Sequence, residues 1–182
     1  MRAVFLDRDG VINQNRADYV KRWEEFRFLP SAIPALRALA ASPFLVVVLT
    51  NQSAVGRGLM TMEAVEEINR RMCGEVAAAG GRIDAVYCCP HLSEDGCSCR
   101  KPLPGLFLQA ANDWGIELDA SYCIGDKVSD MEAGRSAGCR GILVLTGEGV
   151  SQAEQLLGLY PVVPDLLHAV ELVLSTEMSN LP

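Results

Sequence analysis

Residues 44–51 read FLVVVLTN: six apolar side chains in a row, then Thr50 and Asn51. Successive side chains of a strand point to opposite faces, so a strand with one wet face alternates apolar and polar residues. An unbroken apolar run needs cover on both faces, as a strand has inside a parallel sheet flanked by helices. Shorter runs accompany it: AVFLD (3–7), DAVYCC (84–89), YCIGD (122–126) and GILVLTG (141–147). Segments of helical period separate them. Ile33, Leu36 and Leu39 recur at helical spacing, and Val65, Ile68, Met72 and Val76 make an apolar stripe between a candidate N-cap, Thr61, and Gly80-Gly81. A third helix is expected over 103–114, ended by Gly115, and a fourth from a capping box of Ser129 and Glu132. Such alternation predicts an α/β chain: a doubly wound, Rossmann-like, three-layer α/β/α fold around a central parallel sheet. The final STEMSNLP is expected to fray.

The 182 residues suit one domain, 1–182. With 23 acidic against 16 basic side chains the net charge is −7, which argues against nucleic acid as a partner. No apolar run approaches the ~18 residues of a membrane span, so no membrane is expected. The opening MRAVFLDRDG meets acidic residues too early for a signal peptide, which places the chain in the cytoplasm. No feature calls for a second copy, and a monomer is expected.

In a doubly wound sheet the ligand lies beyond the carboxyl ends of the strands. The segments just past the apolar runs are therefore informative: DRDG, TNQS, a Cys/His segment running into RKP, and GDKVSD. Every polar cluster falls at one edge. Asp7 is placed to act as a nucleophile, with Asp9 two residues on as general acid and base. Each alone also suits a solvated turn, but Asp126 at a third strand end adds a further carboxylate. Clustered carboxylates repel unless a cation sits among them, and oxygen ligands suit Mg²⁺. Thr50 and Asn51 offer a hydroxyl and an amide to phosphate oxygens, and Lys101 offers a full charge. Arg8, Arg57, Arg100, Lys101 and Lys127 are all expected near this edge, so an acidic chain gathers cations where an anion would bind.

The segment 88–102, CCPHLSEDGCSCRKP, holds Cys89, His91, Cys97 and Cys99, three sulfurs and an imidazole. These complete a tetrahedral Zn²⁺ shell with no open position, which argues for a structural ion; free thiols and disulfides are the alternatives. Cys88 should face the opposite side from Cys89, into the core. Cys73, Cys123 and Cys139 read as buried apolar residues and His168 as an ordinary helix residue.

FLDRDG, LTNQS, RKPLPG and GDKVSD resemble, in order, the four motifs of the haloacid dehalogenase (HAD) superfamily of aspartate-nucleophile phosphatases. DRDGVIN, DYV, TNQSAVGRG and CPH…CSCRKPLPG resemble its capless, zinc-loop, histidinol-phosphatase-like subfamily. The resemblance implies a fold without a large cap domain. It implies that Asp7 attacks phosphorus, that Asp9 protonates the leaving oxygen and then activates water, and that Thr50 and Lys101 hold the phosphoryl group. It places Mg²⁺ on Asp7, the Asp9 carbonyl and Asp126, and Zn²⁺ on the Cys/His loop. The implied partner is a small phosphorylated sugar, a heptose 1,7-bisphosphate losing its C7 phosphate on the way to a nucleotide-activated heptose. Its contacts would be Asn15, Arg16, Asp18, Tyr19, Asn51, Gln52, Ser53, Arg100 and Lys127. Histidinol phosphate is the alternative substrate, and a non-catalytic zinc-containing scaffold the alternative of another class.

Overall fold

The structure, a computed structural model, describes residues 1–156 and 158–179. Among them, β1 (Ala3–Leu6), β2 (Leu45–Asn51), β3 (Ala85–Cys89), β4 (Tyr122–Gly125), β5 (Arg140–Val144) and β6 (Val162–Val163) form one sheet. Its order is β3-β2-β1-β4-β5-β6, and every neighbouring pair is parallel. The helices are α1 (Ala32–Ala40), α2 (Ser53–Gly56), α3 (Met62–Ala78), α4 (Gly105–Trp114), α5 (Val128–Ala137), α6 (Gly149–Gln152) and α7 (Leu166–Ser179). The segments between β1 and α1 and between β3 and α4 each hold only a single 3-10 turn, Trp23–Glu25 and Ser93–Asp95, and no cap domain interrupts the described residues. None of their helices is long and apolar enough to cross a membrane.

The strand β2 shows why its sequence is unbroken. Val46 and Val48 join a core with α1, α3 and α7, while Val47 and Leu49 join a second core with α4 and α5. All four are at most 1% exposed. Burying each contributes ~1.5–3 kcal/mol, so a polar residue at any of them would cost one of the two layers its contact. The same alternation runs along β1, where Val4 and Leu6 face the first layer and Ala3 and Phe5 the second.

Thr61 caps α3 as expected, its Oγ1 accepting the Ala64 N–H at 3.3 Å, and the stripe Val65, Ile68, Met72, Val76 is buried. Four expectations need correction. Leu103 lies outside α4, which starts at Gly105; Leu103 precedes Pro104, and a residue before proline is disfavoured in the helical region. The helix α5 starts at Val128, with Lys127 as its N-cap, and Asp130 rather than Glu132 reaches back to the Lys127 N–H (3.1 Å). The chain end is helical through Ser179, because Glu177 accepts a bond from Tyr122 Oη (3.1 Å) and pairs with Arg2; residues 180–182 lie outside the described residues. Cys73 is only half-buried, whereas Cys123 and Cys139 are buried. The edge strand β6 went unforeseen, two valines between Pro161 and Pro164 being too short for a period to show.

Candidate active site

The strand order reverses at the boundary between β1 and β4, which is where a crevice opens in a doubly wound sheet. Asp7 comes directly after β1 and stays pinned to the sheet, its N–H donating to the Ile124 carbonyl of β4 at 3.0 Å. It is 8% exposed. Lys101 reaches it from the segment after β3, and Nζ donates to Asp7 Oδ1 (2.9 Å), to the Leu49 carbonyl (2.7 Å) and to Asp130 Oδ1 (2.6 Å). Burial works against the Lys101 charge, but Asp130 and Asp7 outweigh it and hold the amine firmly protonated.

The Lys101 backbone is fixed by the end of β2. Its N–H donates to Asn51 Oδ1 (3.2 Å), and Asn51 Nδ2 donates to its carbonyl (3.1 Å). Asn51 lines the cavity but uses its amide on this backbone. Gln52 is likewise turned to the protein, Nε2 donating to Asp9 Oδ2 (2.7 Å) and Thr50 Oγ1 (2.8 Å).

Asp126 is fully buried behind Asp7. Its Oδ2 accepts the Glu148 N–H at 2.8 Å, and Oδ1 has no protein partner. Gly10 (φ +95°) and Gly147 (φ +59°) close on this carboxylate, and a Cβ at either would stand 2.2 or 2.1 Å from Oδ2. Only glycine fits, on both backbone and contact grounds.

One oxygen each of Asp7, Asp126 and Asp130 lie within 4.8 Å of one another. Burial raises Asp7 to about 6 against the opposing pull of Lys101. Burial, then Asp7 and Asp130, raises Asp126 to about 8. Such crowding is relieved by a divalent cation, and the orphaned Asp126 Oδ1 together with hard oxygen donors fits Mg²⁺. Asp130 was missed at the level of sequence. The signal was present in GDKVSD, where Asp130 lies about one helical turn beyond Asp126 at the start of α5.

Asp9 stands apart from this group. Burial alone would raise its pKa, but the Arg8 charge and hydrogen bonds from Asn13, Gln52 and Arg8 hold it below the ordinary value. Arg8 itself, expected among the cations of the anion site, is fully buried and turned toward Asn69 of α3, with the other edge of its guanidinium against Asp9. Alternation along β1 dictates this, because Arg8 continues the row of Val4 and Leu6.

A cavity of about 750 Å³ opens over Asp7, Asp9, Thr50 and Lys101. Its wall includes Asn15, Arg16, Tyr19, Ser53, Arg100 and Lys127. Asp18 does not line it and instead pairs with Arg16 and Lys21. Tyr19 adopts φ 65°, and its phenol oxygen accepts from Arg57 Nε at 3.0 Å. Glu148 was not foreseen. Its Oε1 accepts from Asn15 Nδ2 (3.1 Å) and pairs with Lys127 Nζ (3.0 Å), fixing two wall residues.

Beside this wall, Cys89, His91, Cys97 and Cys99 converge, their ligand atoms within 4.8 Å of one another. Sulfur separations of 3.1 Å (Cys89–Cys99) and 3.7 Å (Cys89–Cys97) exclude disulfides and approach the ~3.8 Å edge of a tetrahedron with Zn–S bonds of about 2.3 Å. Arg100 Nη1 donates to the His91 carbonyl at 3.2 Å, tying the cluster to the cations of the wall.

Comparison with known proteins agrees with this geometry. Residues 98–169 match a family model of HAD-hydrolase-like proteins. The chain is similar to D-glycero-β-D-manno-heptose-1,7-bisphosphate 7-phosphatases: 40% identity to that of Pseudomonas aeruginosa, over 81% of this chain and 83% of the relative. To that of Pasteurella multocida the identity is 36%, over 93% and 98%. Among solved structures it superposes on the D,D-heptose 1,7-bisphosphate phosphatase of B. bronchiseptica, complexed with magnesium and phosphate. There the TM-score is 0.92 and the identity 37%, over 97% of this chain and 99% of the other.

Proposed function

Because the chain belongs to the heptose-1,7-bisphosphate 7-phosphatase family of HAD hydrolases, we propose that it removes the C7 phosphate of D-glycero-D-manno-heptose 1,7-bisphosphate, through an aspartyl-phosphate on Asp7. The relatives favour the β anomer by name, and they do not favour histidinol phosphate or a scaffold role. The observation that carries the reading is Lys101 Nζ joining Asp7 to Asp130 on the floor of a cavity that also exposes Thr50 and Asp9.

Lys101 holds Asp7 by Oδ1 and leaves the other carboxylate oxygen to attack phosphorus. The Thr50 hydroxyl and the Lys101 ammonium are placed for the phosphoryl oxygens. As the bond between phosphorus and O7 breaks, Asp9 gives its proton to O7. In the second step Asp9 takes a proton from the water that attacks the aspartyl-phosphate, and phosphate and free Asp7 result. The low pKa of Asp9 suits the second step. For the first, the approach of a phosphate dianion raises it, as any neighbouring negative charge does. When bound at Asp7, the Asp9 carbonyl, Asp126 and Asp130, Mg²⁺ supplies positive charge that lets a dianion approach a carboxylate.

Asn15, Arg16, Tyr19, Ser53, Arg100 and Lys127 would contact the sugar and its C1 phosphate, with Asp18, Asn51 and Gln52 holding that surface in place. The loop 88–102 would carry a structural Zn²⁺ on Cys89, His91, Cys97 and Cys99. We take residues 1–182 to work as one domain, a cytoplasmic monomer. The test is phosphate release with Mg²⁺ from both bisphosphate anomers and from L-histidinol phosphate, with Asp7→Asn as the blank. Preference for the β bisphosphate is expected. Preference for histidinol phosphate, or an active Asp7→Asn enzyme, would overturn the substrate or the mechanism respectively.

A further inference from the structure

Arg8 heads the fully buried side chains by size, and no step of phosphate transfer to Asp7 uses it. Its guanidinium meets two groups. Nε and Nη2 donate to Asp9 Oδ2 at 3.1 and 2.9 Å, and Nη1 donates to Asn69 Oδ1 at 3.0 Å. Asn69 is a buried polar residue among the apolar residues of α3, next to Ile68. An apolar side chain there would extend the stripe, and a buried cation is costly unless it is paired and hydrogen-bonded. Asp9 already supplies the countercharge, so Asn69 adds direction rather than charge. Its carbonyl oxygen anchors Nη1 and so orients the planar fork whose other edge grips Asp9. That leaves Asp9 with a fixed plane: Oδ2 receives Arg8 and Gln52, and Oδ1 receives Asn13 at 2.9 Å.

We propose that Asn69 is a positioning residue of the phosphatase, acting from α3 through Arg8 to hold the Asp9 carboxylate in the plane from which it transfers protons. The inference rests on the reading of Asp9 as acid and base. Without Asn69, Nη1 loses the side-chain acceptor it has in the structure, and the fork turns to find another. A rotated fork carries Asp9 with it, and proton transfer falls off with misplacement while phosphate binding on Thr50 and Lys101 does not.

The test compares kcat/KM for two esters, which reports the step that breaks the bond to the leaving group. A sugar phosphate leaves as an alkoxide and needs a proton; p-nitrophenyl phosphate leaves as a stable phenolate and needs none. Asn69→Leu should lose about tenfold or more on the sugar phosphate and little on the aryl phosphate. Asn69→Asp, which keeps an acceptor oxygen at the same reach, should restore the sugar phosphate rate to near that of the parent. Should Asn69→Leu fail to fold, Arg8→Lys replaces it. Its ammonium keeps the charge but loses the fork, and the same substrate split is expected. Equal loss on both esters, or loss on neither, overturns the positioning role and leaves Asn69 as packing. Asp9→Asn serves as the control. If it shows no split, it is the reading of Asp9 that fails; if it shows the split and the Asn69 and Arg8 variants do not, the relay fails.

Discussion

Replacing Gly147 by Ala puts one methyl group where the structure has no room for it. Two costs arise and can be separated. Gly147 has φ +59°, and an L-residue in that region costs ~1–2 kcal/mol. The added Cβ would also stand 2.1 Å from Asp126 Oδ2 and 2.6 Å from the Gly10 Cα. The second neighbour is backbone, so relief has to come from displacing Asp126 or the whole turn, and overpacking of this kind costs ~1–3 kcal/mol. Together the expected destabilisation is about 2–5 kcal/mol, a drop of about 4–20 °C in Tm for a chain of this size. Gly115→Ala is the matched control. It has φ +62° and no neighbour within 4 Å of its would-be Cβ, so it should show the first cost alone. The assay pairs thermal unfolding with the Mg²⁺ concentration giving half-maximal rate. Gly147→Ala should weaken Mg²⁺ dependence as well as stability, whereas Gly115→Ala should leave Mg²⁺ dependence untouched. Equal Tm losses for the two, with Mg²⁺ dependence unchanged in both, would refute the idea that Asp126 is held by close glycine packing.

Lys101→Met should cut kcat by about a hundredfold or more, as loss of a buried charge stabiliser does, and destabilise by ~3–5 kcal/mol because Asp7 and Asp130 lose their shared partner; steady-state kinetics and denaturant unfolding read the two effects. Purified protein should contain close to one zinc per chain by elemental analysis, and Cys97→Ser should lower that content and raise KM through the Arg100 segment; an unchanged KM in a zinc-free variant would detach the cluster from the site. Hydrogen bonding to Asp165 (Nδ1–Oδ1 2.8 Å) raises the pKa of His168 above 6.5. That contribution to stability is fully present below pH 6.5 and is lost as pH rises through the folded value, and Asp165→Asn should return the NMR titration of His168 to the ordinary range.

What the sequence discloses and what it hides divide along physical lines. The run at 44–51 announces the sheet because its requirement, cover on both faces, is written in consecutive residues. The strand-end clusters announce the site because topology brings every carboxyl edge together, whatever the side chains then do. Partner choice across the chain is not so written. Asn51 reads as a phosphate contact because it sits at a strand end, and Gln52 as a substrate contact by resemblance, yet their amides face Lys101 and Asp9, and only folding brings residues 51 and 101 together. Arg8 read as one more cation at the anion site, although strand alternation already assigned it to the far layer. Asp130 was hidden by its own capping role: it closes the start of α5 with Oδ2 and meets Lys101 with Oδ1.

The two hydrogen bonds between the Asn51 side-chain amide and the Lys101 backbone tie the end of β2 to the segment after β3. Thr50 and Lys101 are thereby carried on one unit, while the loop 15–19 meets the rest of the site through side chains, at Glu148, Ser53 and Arg57. These two parts have unequal freedom to vary. Exchanging or lengthening the loop would reshape the mouth without disturbing the nucleophile, so a lineage or an engineer could move this scaffold to a new phosphate ester by rewriting a handful of surface positions.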